Sequence, residues 1–503
     1  FPAISPEALR TECRLYAQKW ITVQKDQFKK LGVIMRWKHP RFTMDPAYEA
    51  SIVRAFGIFF EEGYIQKRNK TVPWCPTDQT VLAAAEIEYK DQKDPSIYVL
   101  FKLSWPCVSA AAHITHLASG KEVFAIIWTT TPWTLPLNRA VMIKPSALYN
   151  LIQGKENELL LIGAALSEAL AAQLGIEHRV IGSLLGQDLI GSDLEHPFLN
   201  QRSPIIADEA VAIDEGTAFV HCAPGCGPQD YEIGIANGLE IFSPVSSDGK
   251  YTEEVMPEEL VGMAVSDGQI WVIRKLAQLG RLLFKKNIVH SYPHCWRCRN
   301  PLIFRATSQW FCNLSHNNLR ERALRSLDEI KFFPKNSKNF LRATLEGRLE
   351  WCLSRQRVWG TPIPALICSN CNWSYTTKSL IDKVALGIEK EGIEYWQRVT
   401  ISELGIKDLR CKNCCGTDFV KEQDILDVWF DSGVSHYAVL KQSIDLEFPA
   451  NLYVEGVDQH RGWFQSSLLT SLVLEGSAPT KAFLTHGFVV DEKGHKMSKS
   501  LGN

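Results

Sequence analysis

The sequence predicts an α/β fold: an incomplete parallel-sheet domain, interrupted by a β-rich insertion and carrying a four-cysteine ribbon. Three observations carry this expectation. Residues 452–488 run strand, polar turn, helix, strand, polar turn, the pattern of a parallel sheet whose polar residues collect at the strand ends. From about residue 93 to 288 short strand-like runs replace long helical ones. Cys368-x-x-Cys371 and Cys411-x-x-Cys414 form two knuckles of the kind that hold one tetrahedral metal. The predicted segments are 1–92 (connecting helices), 93–288 (the insertion), 289–360 (return to the core), 361–420 (the ribbon) and 421–503 (the second half of the parallel-sheet domain).

Bulk properties exclude several classes. The 503 residues are 45% hydrophobic and 22% charged, so a packed, multidomain protein is expected rather than a disordered one. A net charge of −1 gives no global attraction to nucleic acid, and any such partner must be met by local patches. No apolar run approaches the roughly 20 residues of a membrane span. Six of the 14 cysteines lie in three Cys-x-x-Cys pairs, which at this size points to metal knuckles in a reducing cytoplasm rather than to disulfides. The start at Phe1 without a methionine or leader, and the end on a motif, are expected of a fragment.

Taken in order, residues 5–31 predict a helix. Ser5 caps it, Pro6 suits its first position, and Leu9, Cys13, Tyr16, Trp20, Phe28 and Leu31 follow helical spacing to Gly32. A second helix opens at Asp45-Pro46, turns Ile52, Phe56, Phe59 and Phe60 inward, and stops at Gly63. Cys75 has Asp78 where a knuckle would place its second cysteine. In the insertion, strand-like runs at 97–103 and 123–128 precede a helix near 163–175. The second run leads into Thr129, Thr130 and Thr131, stopped by Pro132. Three hydroxyls at a strand end can line a pocket, although threonine also simply favours strands. A later strand ends in His221, turns through Pro-Gly-Cys-Gly, and opens a helix near Asp230. A histidine and a carboxylate at the two ends of such a turn can face one cavity, and Asp230 equally suits a helix cap.

His294-Cys295-Trp296-Arg297-Cys298 closes the insertion. The arginine-rich stretch 354–357 suits either phosphate or carboxylates. Cys415 adjoins the ribbon without being a predicted ligand. Residues 424–431 read as a strand, and the strands near 452 and 482 end in Glu455–Phe464 and Thr485–Phe488. Last comes Lys496-Met497-Ser498-Lys499-Ser500, a cationic loop suited to a polyphosphate that gains charge during reaction.

These strings together resemble class I aminoacyl-tRNA synthetases, and within them the bacterial-type isoleucyl branch. They are WTTTPWTLP (128–136), HCAPGCGPQDYEIG (221–234), SRQRVWG (354–360), DVWFDSG (427–433), EGVDQHRGWF (455–464) and KMSKSLGN (496–503). The resemblance implies a Rossmann-like catalytic domain split by an editing insertion. It implies ATP with Mg²⁺ and Zn²⁺ as cofactors, isoleucine and tRNA(Ile) as partners, a monomer, no membrane, and a cytoplasmic location. In the synthetic site, Trp429 and Trp463 would wall the isoleucine side chain. Glu455, Gly456, Asp458, Gln459 and His460 would hold the adenylate. His486, Gly487 and Phe488 would border the adenine, and Lys496, Met497, Ser498 and Lys499 the phosphates. Gln459, His460, Lys496 and Lys499 are the implied catalytic groups. Thr129, Thr130, Thr131, Asn138, His221 and Asp230 would line the editing cavity, with Asp230 holding the α-amino group. Cys368, Cys371, Cys411 and Cys414 would bind zinc.

The departures qualify this picture. The HIGH signature and the anticodon-binding domain are absent, so editing is expected of this chain and full aminoacylation is not. Cys226 stands where the family has a second histidine. Cys75, Asp78, Cys295 and Cys298 look like a family zinc site with one thiolate lost. A valyl or leucyl enzyme, or a non-catalytic zinc-ribbon RNA-binding module, are the alternative readings.

Overall fold

The computed structural model describes residues 4–104, 118, 120–155, 158–348, 350–498 and 502. They form two compact units, one of residues 1–68, 83–85 and 309–503, the other of residues 69–82 and 86–308. Among the described residues no helix is long and apolar enough to cross a membrane.

The first unit is built on a three-stranded parallel sheet, Lys331–Phe333 beside Ala482–His486 beside Tyr453–Gly456. Helix Trp463–Leu474 returns from the Tyr453 strand toward the Ala482 strand and is buried from Phe464 to Val473. A helix buried all round needs its hydroxyls satisfied internally. Thr470 Oγ1 donates to Gly433 O at 2.8 Å, and Ser471 Oγ donates to Ser477 O at 2.8 Å. Helix Pro46–Glu61 buries Ile52, Phe56 and Phe59 in the same core, which holds Trp310, Trp351, Phe430 and Phe483. The ribbon is a small antiparallel sheet with Leu366–Cys368 at its centre, between Ser374–Tyr375 and Phe419–Lys421.

Two expectations fail here. Residues 424–431 are not one strand. Only Ile425–Leu426 is extended, and it pairs antiparallel with Ser354–Arg355 outside the parallel sheet. Asp427 then caps a helix, Val428–Gly433, its Oδ1 accepting from Trp429 N at 3.2 Å. The cap satisfies a free N–H and outweighs the strand preference of Val-Trp-Phe. The second failure concerns helix Pro6–Lys30. It starts as expected, with Ser5 Oγ accepting from Ala8 N at 3.2 Å. Its apolar stripe is not buried: Leu9, Tyr16, Trp20, Phe28 and Leu31 are exposed, and Arg10 is the one buried residue. Arg10 is held by a two-pronged bond to Glu394, at 2.5 and 2.7 Å.

The second unit is a mixed sheet in the order 219–222, 140–143, 202–207, 193–195, 87–103, 122–129, 158–163, 148–153 and 180–185, with 282–295 also paired to 87–103. Its apolar runs are continuous because both faces are covered. Ile97, Val99, Phe101 and Leu103 enter one core, under helix Val265–Gln278. Tyr98 and Leu100 enter another, under helix Ser167–Leu174. The alternation repeats on the next strand, with Val123, Ala125 and Ile127 on one side and Phe124 and Ile126 on the other.

Candidate functional site

The second unit contains a cavity of about 300 Å³ at the end of strand Glu122–Thr129. Thr129, Thr130 and Thr131 line it from one side, His221 and Asp230 from the other. The geometry comes from two turns. After Thr131 the chain enters a 3₁₀ helix, Pro132–Leu137, in which residues three apart share a face, so Thr134 joins Thr131 at the cavity. Strand Phe219–Cys222 carries His221 and leads into a tight turn. A Cβ on Gly225 would lie 1.9 Å from Phe242 O, so only glycine fits there.

A hydrogen-bond chain fixes the state of His221. Asn138 is fully buried, accepts from Ser203 Oγ at 2.5 Å, and donates from Nδ2 to Ala140 O at 2.8 Å and to His221 Nδ1 at 3.2 Å. The His221 proton therefore sits on Nε2 and is donated to Thr134 Oγ1 at 2.8 Å, whose own hydroxyl donates to Thr131 O at 2.8 Å. Burial lowers the His221 pKa to about 4. The ring is neutral with both nitrogens engaged, so it orients Thr134 and has no free lone pair to take a proton. Asn138 stands behind His221 rather than on the cavity wall, which differs from the expectation that it lines the site.

Asp230 sits in the first turn of helix Pro228–Ala236. Its Oδ2 accepts from Ala223 N at 2.8 Å. Burial, with Asp208 nearby, raises its pKa, so the cavity favours a cation that would neutralise it. Cys226 lines the same wall as a neutral thiol, pushed up to about 12 by burial. Trp128, Thr134, Glu215, Thr217 and Cys226 also line the cavity and were not among the sequence-derived site residues. The three-residue spacing of Thr131 and Thr134 was the available signal for Thr134. Glu215 and Thr217 flank Gly216, whose φ of +67° makes the turn that brings them in.

The neutral histidines give this unit an acid sensitivity. His196 is also buried, and burial lowers its pKa to about 3. Below pH 6.5 an unfolded chain protonates both rings while the folded chain does not, so stability falls as pH drops from 6.5 toward about 4. Each ring contributes about 1.4 kcal/mol per pH unit in that window. The raised Asp230 carboxyl acts in the opposite sense. Urea unfolding followed from pH 7 to 4.5 is expected to show a slope shallower by about one proton in His221→Gln than in the parent.

In the first unit, polar residues gather where strands Tyr453–Gly456 and Ala482–His486 end side by side, Glu455 opposite Thr485 and Gly456 opposite His486. Trp463 stacks on Tyr453 with ring centroids 4.1 Å apart and 14° between planes, and its Nε1 donates to Ser432 O at 2.9 Å. Trp429 packs against Gly462, where a Cβ would come within 2.6 Å of the ring. Gln459 Oε1 accepts from Trp463 N at 3.0 Å. His460 is buried, its Nδ1 is 2.7 Å from Val457 O, and its Nε2 has no hydrogen-bond partner among the described residues. Burial raises the Glu455 pKa, with His486 acting against it and Asp458 with it.

The last loop is a hairpin. Val490 pairs with Lys496, Met497 N donates to Val489 O at 3.0 Å, and the Asp491 carboxylate accepts from Lys493 N and His495 N. Lys496 Nζ lies 3.7 Å from Asp458 Oδ2 and 3.7 Å from the centroid of the Phe488 ring. Lys499 and Ser500 lie outside the described residues. The arginine-rich stretch meets a carboxylate: Arg355 pairs with Asp427 at 3.0 Å, both side chains buried.

The four ribbon sulfurs of Cys368, Cys371, Cys411 and Cys414 lie within 4.8 Å of one another, with Cys368 to Cys414 at 3.5 Å and Cys371 to Cys411 at 3.3 Å. Metal–sulfur bonds of ~2.3 Å in a tetrahedron set sulfurs ~3.8 Å apart, so the donor set fits one zinc. Asn372 and Cys415, which follow the knuckles, hold φ of +60° and +59°. Cys415 is thus a turn residue and stands outside the donor group.

The family model for tRNA synthetases class I (I, L, M and V) matches residues 3–503, and the chain belongs to that family. Among its curated relatives, the isoleucine–tRNA ligase of Persephonella marina is 43% identical over 99% of this chain and 53% of its own length. The isoleucine–tRNA ligase of Aquifex aeolicus is 43% identical over 98% of this chain and 53% of its own, and that of Carboxydothermus hydrogenoformans 42% over 99% and 53%. The chain spans about half the length of these relatives.

Proposed function

We propose that this chain serves isoleucine–tRNA ligation, and that the cavity of the second unit hydrolyses valyl-tRNA(Ile). The observation that carries the editing reading is the cavity itself. It joins a half-buried carboxylate, a row of oriented hydroxyls and a volume of about 300 Å³. Asp230 binds the α-ammonium of the misattached amino acid. Thr129, Thr130, Thr131 and Thr134 hold the ester, the terminal ribose and a water, and His221 fixes the Thr134 hydroxyl. The hydrolysis then rests on positioning the water against the ester carbonyl. A second site is needed because one methylene contributes only about 1–3 kcal/mol of discrimination in an apolar pocket, a general magnitude for which this enzyme class is itself the standard case. In this reading residues 93–288 are the editing domain.

Residues 421–503 form the second half of a Rossmann-like catalytic domain. Trp429 and Trp463 wall the isoleucine. Glu455, Gly456, Asp458, Gln459 and His460 hold the adenylate, with the unpartnered Nε2 of His460 available to the bound nucleotide. His486, Gly487 and Phe488 border the adenine. Lys496, Met497, Ser498 and Lys499 face the phosphates, Lys496 exchanging Asp458 for a phosphate oxygen. ATP with Mg²⁺ supplies the activated phosphorus and neutralises the leaving pyrophosphate. The test is deacylation by the chain as it stands. Selective cleavage of Val-tRNA(Ile) over Ile-tRNA(Ile) supports the proposal, and equal or absent cleavage of the two overturns it.

Cys368, Cys371, Cys411 and Cys414 would hold Zn²⁺, which ties strands of only two and three residues into the ribbon. Elemental analysis of the reduced protein is expected to lose about one zinc per chain in Cys411→Ser/Cys414→Ser. A zinc content identical to the parent would overturn the assignment.

A further inference from the structure

We propose that residues 69–71 form a clamp that sets the width of the editing cavity, with Thr71 and Tyr231 as positioning residues for the choice between valyl and isoleucyl esters. The inference rests on the editing reading and adds to it the residues that hold the sieve at one size. All of them belong to the second unit.

The cavity is lined by stretches far apart in the chain. Thr129, Thr130, Thr131 and Thr134 come from one, and Ala223, Cys226, Gly227 and Asp230 from another. A pocket that must tell two side chains apart by one methylene needs a fixed distance between such stretches. The threonines follow a paired strand, Thr129 lying opposite Ile97, and continue into a 3₁₀ helix, so the sheet holds their backbone. The second stretch is a turn, 223–227, that opens a helix of nine residues. Turns and short helices have few backbone bonds of their own and open more readily than sheets.

What holds this turn lies outside the cavity. Pro224 and Gly225 are buried, and neither lines the cavity. Each of their carbonyls is taken by a neighbouring strand. Thr71 Oγ1, in strand Ile65–Cys75, donates to Pro224 O at 2.7 Å. Ala306 N, in strand Ile303–Asn313, donates to Gly225 O at 2.7 Å. Thr71 is 4% exposed, so water does not compete for its bond. The same stretch also holds the helix after the turn. Tyr231 OH donates to Asn69 O at 3.0 Å, and Lys70 pairs with Glu232 at 2.6 Å. Lys70 Nζ also lies 5.2 Å from the centroid of the Tyr231 ring.

Asp230 stands between these two holds. Its Oδ2 is bound to the N–H of Ala223, the residue before Pro224, and its backbone adjoins Tyr231. Pro224 packs against the helix so closely that a Cβ on Gly234 would come within 2.7 Å of its ring, which makes turn and helix one body. A drift of that body carries the carboxylate and the cavity lining together. Loss of the Thr71 hydroxyl leaves Pro224 O buried without its donor, a state relieved by moving the turn. The Asp230 charge and the threonine hydroxyls remain, so the valyl ester is still cleaved while the wider cavity admits the isoleucyl ester. The signature of the clamp is lost selectivity rather than lost rate.

The experiment is single-turnover deacylation of Val-tRNA(Ile) and Ile-tRNA(Ile) by the chain as it stands. Thr71→Val keeps the shape and removes the hydroxyl, and Tyr231→Phe does the same for the phenol. Preference for the valyl ester is expected to fall by about 3–10-fold in each, the scale of one lost hydrogen bond. Thr71→Ser, which keeps the hydroxyl, should retain the parent's preference. Amide exchange across 223–231 should quicken in Thr71→Val and not in Thr71→Ser. A parental preference in both Thr71→Val and Tyr231→Phe would overturn the clamp and leave the editing reading standing. Equal slowing of the two esters would overturn it as well, since that is what a purely structural role gives. A parent with no preference for the valyl ester would overturn the editing reading and this inference with it. If Thr71→Val does not fold, Tyr231→Phe decides by the same criteria.

Discussion

Asp230→Asn is expected to slow hydrolysis of valyl-tRNA(Ile) by roughly 10²–10³-fold while leaving the fold intact. Asp230 is half-buried beside the cavity and raised by burial, so its charge is expensive until an ammonium pairs with it. Removing one partner of a desolvated pair leaves the other uncompensated, at about 3–5 kcal/mol, and each 1.4 kcal/mol is tenfold in rate. Asparagine keeps the oxygen that accepts from Ala223 N, so the turn at 223–227 survives. The loss should appear mainly as weaker binding of the charged ester, and it should be smaller for a substrate with an acylated α-amino group. Single-turnover deacylation with both substrates is the measurement. Equal loss on both would mean that the Asp230 charge serves only the turn it holds through Ala223 N.

The largest effect on stability is expected at Asp427. This fully buried carboxylate receives Trp351 Nε1 at 2.7 Å, pairs with Arg355 at 3.0 Å, and caps Trp429 N at 3.2 Å. Asp427→Ala strands a buried guanidinium, an indole N–H and a helix end at once. The expected cost is about 3–5 kcal/mol from the unpaired charge, with about 1 kcal/mol more from the cap. Guanidinium unfolding followed by tryptophan fluorescence reads this directly. Asp427→Asn should fall between the parent and Asp427→Ala, because it keeps the acceptors and loses the charge. An Asp427→Ala midpoint equal to the parent's would show that Arg355 had found another partner. Because Asp427 also holds Trp429 N, the same variant should disturb the isoleucine pocket proposed for Trp429 and Trp463.

Much of this was legible in the sequence where the physics is local. Ser5-Pro6 marks a helix start by itself, and the cysteine knuckles announce their spacing without any partner. The strand-and-turn rhythm of 452–488 gives the parallel pair because each strand's polar end follows its apolar run. What was misread depended on distant partners. Asp427 looks like the middle of a strand until Arg355 and Trp351, 76 residues away from it in the case of Trp351, turn it into a cap. The stripe of helix Pro6–Lys30 has the spacing of a buried face, yet periodicity cannot say whether a partner is there, and its apolar side chains are exposed.

The candidate cavity shows the same division. The sequence by itself determined which chemical groups are present: hydroxyls at a strand end, a carboxylate at a helix start, thiols in pairs, lysines in a terminal loop. It also marked the turn through its Pro-Gly-Cys-Gly run, while the close approach of Phe242 O that admits only glycine at 225 came from the fold. Only the tertiary structure decided what those groups do. The state of His221 is set by Thr134, 87 residues away, and Asn138, 83 residues away. Those contacts fix it as a neutral orienting ring. Asp78, grouped with the cysteines by resemblance, meets them only because strand Leu282–Cys295 brings Cys295 within 3.3 Å of it. The reason is physical: a side chain carries its chemistry with it, but protonation and partners depend on burial and distance, and those are set by residues far along the chain.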